Sequence, residues 1–225
     1  DGRRPSLTTV RTVARQLGEA LAYIHSLRVM HRDVKPENVL FRGLDHQEVV
    51  LVDFGLAVQV GAEESGKRCG TPGFIAPEVL LEDSYGVRCD VFSYGATLYY
   101  LLVGSPAFSG ETPEAVLRRN RAGIQRFPSW LDVGARHLLR GTMHSDPTTR
   151  LDSSELMGQQ FICDWTEGLK RRYPDLPAEP ACKPTAEAQG RPQRLRRAAR
   201  QMARENRSDQ SRSPSPAVAP PAATP

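Results

Sequence analysis

Two short runs hold the residues best suited to chemistry. The first is His31-Arg32-Asp33-Val34-Lys35-Pro36-Glu37-Asn38 and the second is Asp53-Phe54-Gly55. Carboxylate and amide oxygens are hard donors of the kind Mg²⁺ prefers. A lysine ammonium two residues from an aspartate brings positive charge to the same loop. A carboxylate with an ordinary pKa near 4 is a weak base at neutral pH, so a group of this kind is better suited to orienting a hydrogen-bond donor than to removing its proton. Pro36 stiffens the first run, and Gly55 gives the second the backbone freedom of a turn.

The elements that must position these residues follow from periodicity. Thr8 or Thr9 is predicted to cap a helix carrying Val10, Val13, Ala14, Leu17, Ala20, Leu21, Ile24 and Leu27 on one face. Val39-Leu40-Phe41 and Val49-Val50-Leu51-Val52 predict a two-stranded hairpin around the polar turn Arg42 to Glu48. Asp53 to Glu78 is Gly-rich and irregular, and loops of that length in compact domains are usually functional. Asp90 is placed to cap a central helix from Val91 to Val103 that is apolar on nearly all sides. Thr112-Pro113-Glu114 opens another helix, with a cap, a proline at the first position and an acid in the first turn. Val133 to Met143 predicts a further helix, and Asp152 with Glu155 forms a capping box expected to open one through Phe161. The fold class expected is mainly α with a small β-hairpin.

The chain resembles eukaryotic protein kinases. Residues 31–38 match the catalytic loop, Asp53-Phe54-Gly55 the metal-binding motif, and Ala76-Pro77-Glu78 the close of the segment between, with Gly70-Thr71-Pro72-Gly73-Phe74 before it. The resemblance implies Asp33 and Lys35 as catalytic residues. It implies Lys35, Glu37, Asn38, Leu40 and Asp53 around the cofactor, with Asn38 and Asp53 holding the metal. Thr71 and Glu78 match the activation and substrate loop, and Arg32, Asp90 and Arg150 match supporting positions. Leu40 matches the residue beneath the adenine ring; read locally it is a strand core residue. Asp90 matches the aspartate that holds the catalytic loop's backbone; read locally it is a helix N-cap. Glu78 and Arg150 match a buried ion pair, and His31 and Phe54 match members of a hydrophobic spine.

ATP and Mg²⁺ are the implied cofactors, and the implied reaction is phosphorylation of Ser or Thr on proteins, since lysine at position 35 marks that class. The competing class is a non-catalytic docking or regulatory module. Cys69 to Val79 and Asp90 to Gly104 resemble the calcium/calmodulin-dependent kinase group most, with Phe127, Trp130, Ala135 and Asp146-Pro147 to Arg150 extending the match. Members of that group prefer basic residues before the target, and Glu37 matches an acid that reads one. The resemblance covers about residues 3 to 165 and only the large C-terminal lobe. The N-lobe, with its glycine-rich loop and phosphate-holding strand lysine, is expected to be missing, and the chain is expected to be a fragment inactive alone. Lys67 stands where many kinases carry an activating phosphothreonine, so Arg32 is expected to pair with Glu63, Glu64 or Ser65 instead; the alternative is that these are solvated loop charges.

Composition bounds the rest. The 225 residues carry 30 Lys+Arg and 26 Asp+Glu, a formal charge of +4. Residues 1–173 hold 21 of each sign, so the excess lies in 174–225, which also holds 10 of the 18 prolines and no aromatic residue. A kinase domain over 1–173 and a disordered tail over 174–225 are expected. Arg191, Arg194, Arg196, Arg197, Arg200 and Arg204 around Leu195 and Met202 read either as a calmodulin-binding helix over 191–204 or as a solvated basic tail. Ser213-Pro214 and Ser215-Pro216 read as proline-directed phosphosites or as low complexity. There is no apolar run of membrane-spanning length, so no membrane partner is expected. The tail offers no aromatic for base stacking, so no nucleic-acid partner is expected. The scattered Cys69, Cys89, Cys163 and Cys182 read as free thiols of a reducing compartment, with a cytoplasmic or nuclear location expected.

Overall fold

A computed structural model describes residues 5–42, 48–81, 84–123 and 127–163. The predicted tail over 174–225, with the 191–204 segment and both Ser-Pro sites, lies outside the described residues. Helix α1 spans Leu7–Ser26. Its N-cap is Ser6, whose Oγ accepts from the Thr9 amide at 3.1 Å, so the predicted caps at Thr8 or Thr9 fall inside the first turn. Serine is the better cap, because its hydroxyl sits ahead of the first unpaired amides. Val10, Val13, Ala14, Leu17 and Leu21 are buried along one face, each large side chain contributing about 1.5–3 kcal/mol of burial.

Strands β1 (Val29–Met30), β2 (Val39–Arg42), β3 (Glu48–Leu51) and β4 (Val58–Gln59) form two antiparallel pairs, β1 with β4 and β2 with β3. The β2–β3 hairpin is the predicted one, in register Val39↔Leu51 through Arg42↔Glu48. The β1–β4 ribbon has no sequence signature, since two residues are too few for a period; it pins the end of α1 to the stretch beyond Asp53. That stretch is accordingly less irregular than its composition suggests.

Helices α2 (Pro77–Leu81), α3 (Arg88–Val103), α4 (Pro113–Ala122) and α5 (Val133–Thr142) complete the described fold. Every residue of α3 from Cys89 to Leu98 is buried, in keeping with a central helix. It begins at Arg88, ahead of the predicted start, and its N-cap Val87 makes no side-chain cap bond. Gly104 ends it in the left-handed region at φ 79°, a conformation glycine adopts without a Cβ clash. Thr112 caps α4 through the Ala115 amide, as predicted, and Asp132 caps α5 in the same way. The Asp152–Glu155 box forms, with the Asp152 amide on Glu155 Oε2 at 2.8 Å and the Glu155 amide on Asp152 Oδ1 at 3.2 Å. The helix predicted to run from it through Phe161 does not form as one piece. A short 3₁₀ turn over Leu156–Gly158 follows the box, and Gln159 returns to extended backbone. Among the described residues no helix is long and apolar enough to cross a membrane.

Candidate active site

The loop between β1 and β2 carries His31, Arg32, Asp33 and Lys35, then a 3₁₀ turn over Pro36–Asn38. Its backbone is fastened to α3. The fully buried Asp90 accepts from the His31 amide at 2.7 Å through Oδ2 and from the Arg32 amide at 2.8 Å through Oδ1. The N-cap reading of Asp90 is therefore corrected: its carboxylate faces the loop and not the amides of its own helix. Arg32 takes φ 67°, a left-handed conformation that costs a non-glycine residue about 1–3 kcal/mol and persists only where surrounding bonds impose it. The two Asp90 bonds are that imposition.

Asp33 is nearly buried and sits at the centre of a polar cluster. Its Oδ2 meets Lys35 Nζ at 2.8 Å and accepts from Asn38 Nδ2 at 3.1 Å; its Oδ1 accepts from the Thr71 hydroxyl at 2.7 Å. Lys35 Nζ also donates to Thr71 Oγ1 at 2.9 Å, so lysine, threonine and aspartate close a ring. Burial pushes the Asp33 carboxyl up, but the Lys35 ammonium and the Thr71 and Asn38 donors together outweigh it and hold the group below the usual carboxylate range. Asp33 is thus an ionised acceptor at neutral pH, suited to orienting a hydroxyl.

The hairpin places the second motif. Val39 pairs with Leu51, and the Val52 amide donates to the Asn38 carbonyl at 2.9 Å, so Asn38 and Asp53 lie at the same end of β2 and β3. The Asn38 amide nitrogen donates to both the Asp33 carbonyl at 2.8 Å and its carboxylate, which turns the amide oxygen away from them. Asp53 is exposed at φ 59°, and its Oδ1 accepts from the Gly55 amide at 3.2 Å. Among the described residues no three His, Cys, Asp or Glu side chains gather into a metal cage. The donor set is one carboxylate and one amide oxygen, which fits a hard cation completed by oxygens from outside the protein, as Mg²⁺ is when it accompanies phosphates.

His31 is fully buried; it accepts from the Asp33 amide at Nδ1 and donates from Nε2 to the Val52 carbonyl at 3.0 Å. Its ring meets Phe54 edge to face, with centroids 4.7 Å apart, tying the two motifs through the core. Leu40 is 49% exposed and its neighbour Phe41 40%. The core-residue reading of Leu40 is therefore corrected: the described elements leave this part of β2 uncovered. Glu37 is exposed on the 3₁₀ turn.

The segment before α2 reaches the loop because of Gly70. A Cβ there would lie 2.9 Å from the Arg32 carbonyl oxygen, and its φ of +110° is one that side chains rarely adopt. Close backbone approach at Gly70 is what brings Thr71 to Asp33. The far end is anchored by Glu78, whose oxygens meet Arg150 Nη1 at 2.5 Å and Nη2 at 2.9 Å, both residues buried. Arg150 further donates to the His144 and Arg88 carbonyls and lies 5.1 Å over the Phe92 ring. Arg32 donates to the Leu56 carbonyl at 2.6 Å and the Tyr85 hydroxyl at 3.4 Å. Ser65, predicted as its partner, donates to the Ala62 carbonyl instead; the Glu63 and Glu64 side chains lie outside the described residues. The Tyr85 phenol, pushed well up by burial, stays protonated and donates to the Lys67 carbonyl at 2.5 Å.

Sequence reasoning missed Tyr85 and His25. Tyr85 gives no signal outside the fold. His25 continues the Leu17, Leu21 spacing onto the buried face of α1, so its burial was legible, although its partners were not. Residues 4–162 match the family model described as Protein kinase domain. A serine/threonine-protein kinase of Drosophila erecta is 39% identical over 169 residues, 71% of this chain and 22% of that protein. A counterpart in Drosophila melanogaster is 38% identical over 169 residues, with the same shares. The serine/threonine-protein kinase zyg-8 of Caenorhabditis elegans is 39% identical over 156 residues, 65% of this chain and 20% of that protein. The chain spans about a fifth of the length of these relatives.

Proposed function

The chain belongs to the protein kinase domain family, and from that premise we propose that it carries the phosphotransfer site of a serine/threonine protein kinase. The observation that carries this reading is the Asp33–Lys35–Thr71–Asn38 cluster, built on a loop fastened by Asp90, with Asp53 at the same hairpin end as Asn38. Bound Mg²⁺ and ATP would supply the transferable phosphoryl group and neutralise its charge. Asn38 and Asp53 are the residues that would hold the metal. Asp33 receives the substrate hydroxyl's hydrogen and orients its oxygen. Lys35, already beside Asp33, sets a positive charge where the phosphoryl group passes. Exposed Leu40 offers an apolar contact for the adenine ring, and exposed Glu37 an acid for a basic residue near the target Ser or Thr.

The finer assignments rest on motifs. The stretches Cys69 to Val79 and Asp90 to Gly104 support membership of the calcium/calmodulin-dependent group, and the basic 191–204 segment supports calmodulin as a partner. The sequence holds no glycine-rich loop followed by a strand lysine, which supports reading these residues as the C-terminal lobe of a larger catalytic unit. The test is phosphate incorporation from Mg·ATP into a Ser peptide flanked by basic residues, using the full-length protein that carries this segment. Asp33→Asn and Asp53→Ala should each lower the rate by about 10²-fold or more. A wild-type protein without Mg²⁺-dependent transfer, or variants as active as wild type, would overturn the reading.

A further inference from the structure

Among the described residues the buried Asp90 accepts two hydrogen bonds from the catalytic loop and a long one, at 3.9 Å, from the thiol of its neighbour Cys89. A further one is from His25, in the last turn of α1, whose Nε2 lies 2.9 Å from Asp90 Oδ2. That is the oxygen that accepts from the His31 amide. The other ring nitrogen of His25, Nδ1, lies 2.9 Å from the Ser153 hydroxyl. His25 is 9% exposed, Ser153 7% and Asp90 0%, so all three side chains are buried. A neutral imidazole with its hydrogen on Nε2 satisfies both contacts, donating to Asp90 and accepting from Ser153. The His25 ring therefore joins three elements distant in sequence: the end of α1, the first turn of α3 and the turn that follows Asp152.

We propose that His25 is a positioning residue for phosphoryl transfer, with Ser153 fixing its ring and Asp90 relaying its position to the backbone of His31 and Arg32. The inference rests on the kinase reading. Its physical ground is the left-handed Arg32, which relaxes toward commoner dihedrals unless the Asp90 carboxylate is held in one rotamer. Asp90 is anchored through α3, and the bond from His25 on α1 fixes the rotamer of its carboxylate independently of the two loop amides it accepts from. Asp33 is the next residue after Arg32, so a rotation there misaims its carboxylate toward the substrate while leaving the nucleotide contacts in place. Small misplacements of that kind cost rate more than binding.

The test uses the geometry of the ring. Gln at position 25 places its amide nitrogen where Nε2 stands, whereas Asn reaches only the Nδ1 position. In the full-length protein, His25→Ala and His25→Asn should lower kcat about tenfold with KM for ATP unchanged, and His25→Gln should restore most of it. Ser153→Ala should give a smaller loss of the same kind. Amide hydrogen exchange at His31 and Arg32 is the readout that needs no turnover: it should rise in His25→Ala and His25→Asn and stay near wild type in His25→Gln. Unchanged exchange in His25→Ala would overturn the inference whether or not the protein transfers phosphate. Equal kcat in all variants of an active protein would overturn it while leaving the kinase reading intact, and an inactive wild type counts against that reading alone.

Discussion

Removing the charge of Arg150 is expected to be among the most destabilising single changes in the described fold. Arg150 is 1% exposed and Glu78 3%, and the guanidinium meets both carboxylate oxygens, at 2.5 and 2.9 Å. Arg150→Met keeps the aliphatic stem and the contact with Phe92 but leaves the Glu78 carboxylate unpaired in the interior. It also strips a donor from the His144 and Arg88 carbonyls. An orphaned charge from a broken buried pair costs about 3–5 kcal/mol. For a domain of this size that is a fall in Tm of about 6–20 °C, at roughly 2–4 °C per kcal/mol. Glu78→Gln/Arg150→Met removes both charges and should recover a large part of the loss, since the desolvation of each ion disappears with it. Urea titration followed by circular dichroism on the two single variants and the double variant gives the coupling directly. Should Arg150→Met cost less than about 1 kcal/mol, or should the double variant cost the sum of the singles, the pair is not the buried anchor of the 71–78 segment and the reasoning fails.

Other expectations concern the active loop. Lys35→Met should raise the Asp33 pKa toward its ordinary value, read from its side-chain carboxyl ¹³C shift; an unmoved titration would show that the ammonium does not hold it down. Because the folded pKa of Asp33 lies below its unfolded value, its contribution to stability is complete above about pH 4 and is lost as pH falls through the folded pKa. Acid titration of Asp33→Asn should therefore show a flatter stability curve on the acid side, with no difference in slope between pH 6 and 8. Thr71→Val should lower kcat by about 10- to 100-fold through loss of a bond to a charged group, while Thr71→Ser keeps most activity. Gly70→Ala should destabilise by more than about 1 kcal/mol, because its Cβ meets the Arg32 carbonyl. Gly61→Ala, also at positive φ but with nothing within 4 Å, should show the smaller cost of backbone strain alone; equal losses in a thermal melt would count against the close approach.

Much of the site was legible because its parts are local. Asp33, Lys35 and Asn38 fall within one turn of chain, so their proximity is covalent before it is structural. The hairpin was legible because two short β-type apolar runs flank a polar turn, and their pairing carries Asp53 to the end of β2 where Asn38 lies. The Ser6 cap, the start of α3 and the broken helix beyond Glu155 were not, since each depends on which of several competent groups wins a hydrogen bond. The β1–β4 ribbon was hidden for another reason: strands of two residues have no pattern, and packing alone makes them pair.

By itself the sequence determined which chemistry these residues suit and which family they belong to, because motif spacing fixes residue types relative to one another along a stiff, short loop. It determined the amphipathic face of α1 and the buried character of α3 for the same reason, that a helix has one period. Only the tertiary structure decided the partner of each polar side chain. Asp90 had two satisfactory uses, to cap its own helix or to hold the catalytic loop. The loop amides, the left-handed Arg32 and the ring of His25 settle it, because a fully buried carboxylate lies lowest where it accepts the most hydrogen bonds. Such choices are made between segments far apart in the chain, so no local pattern can record them.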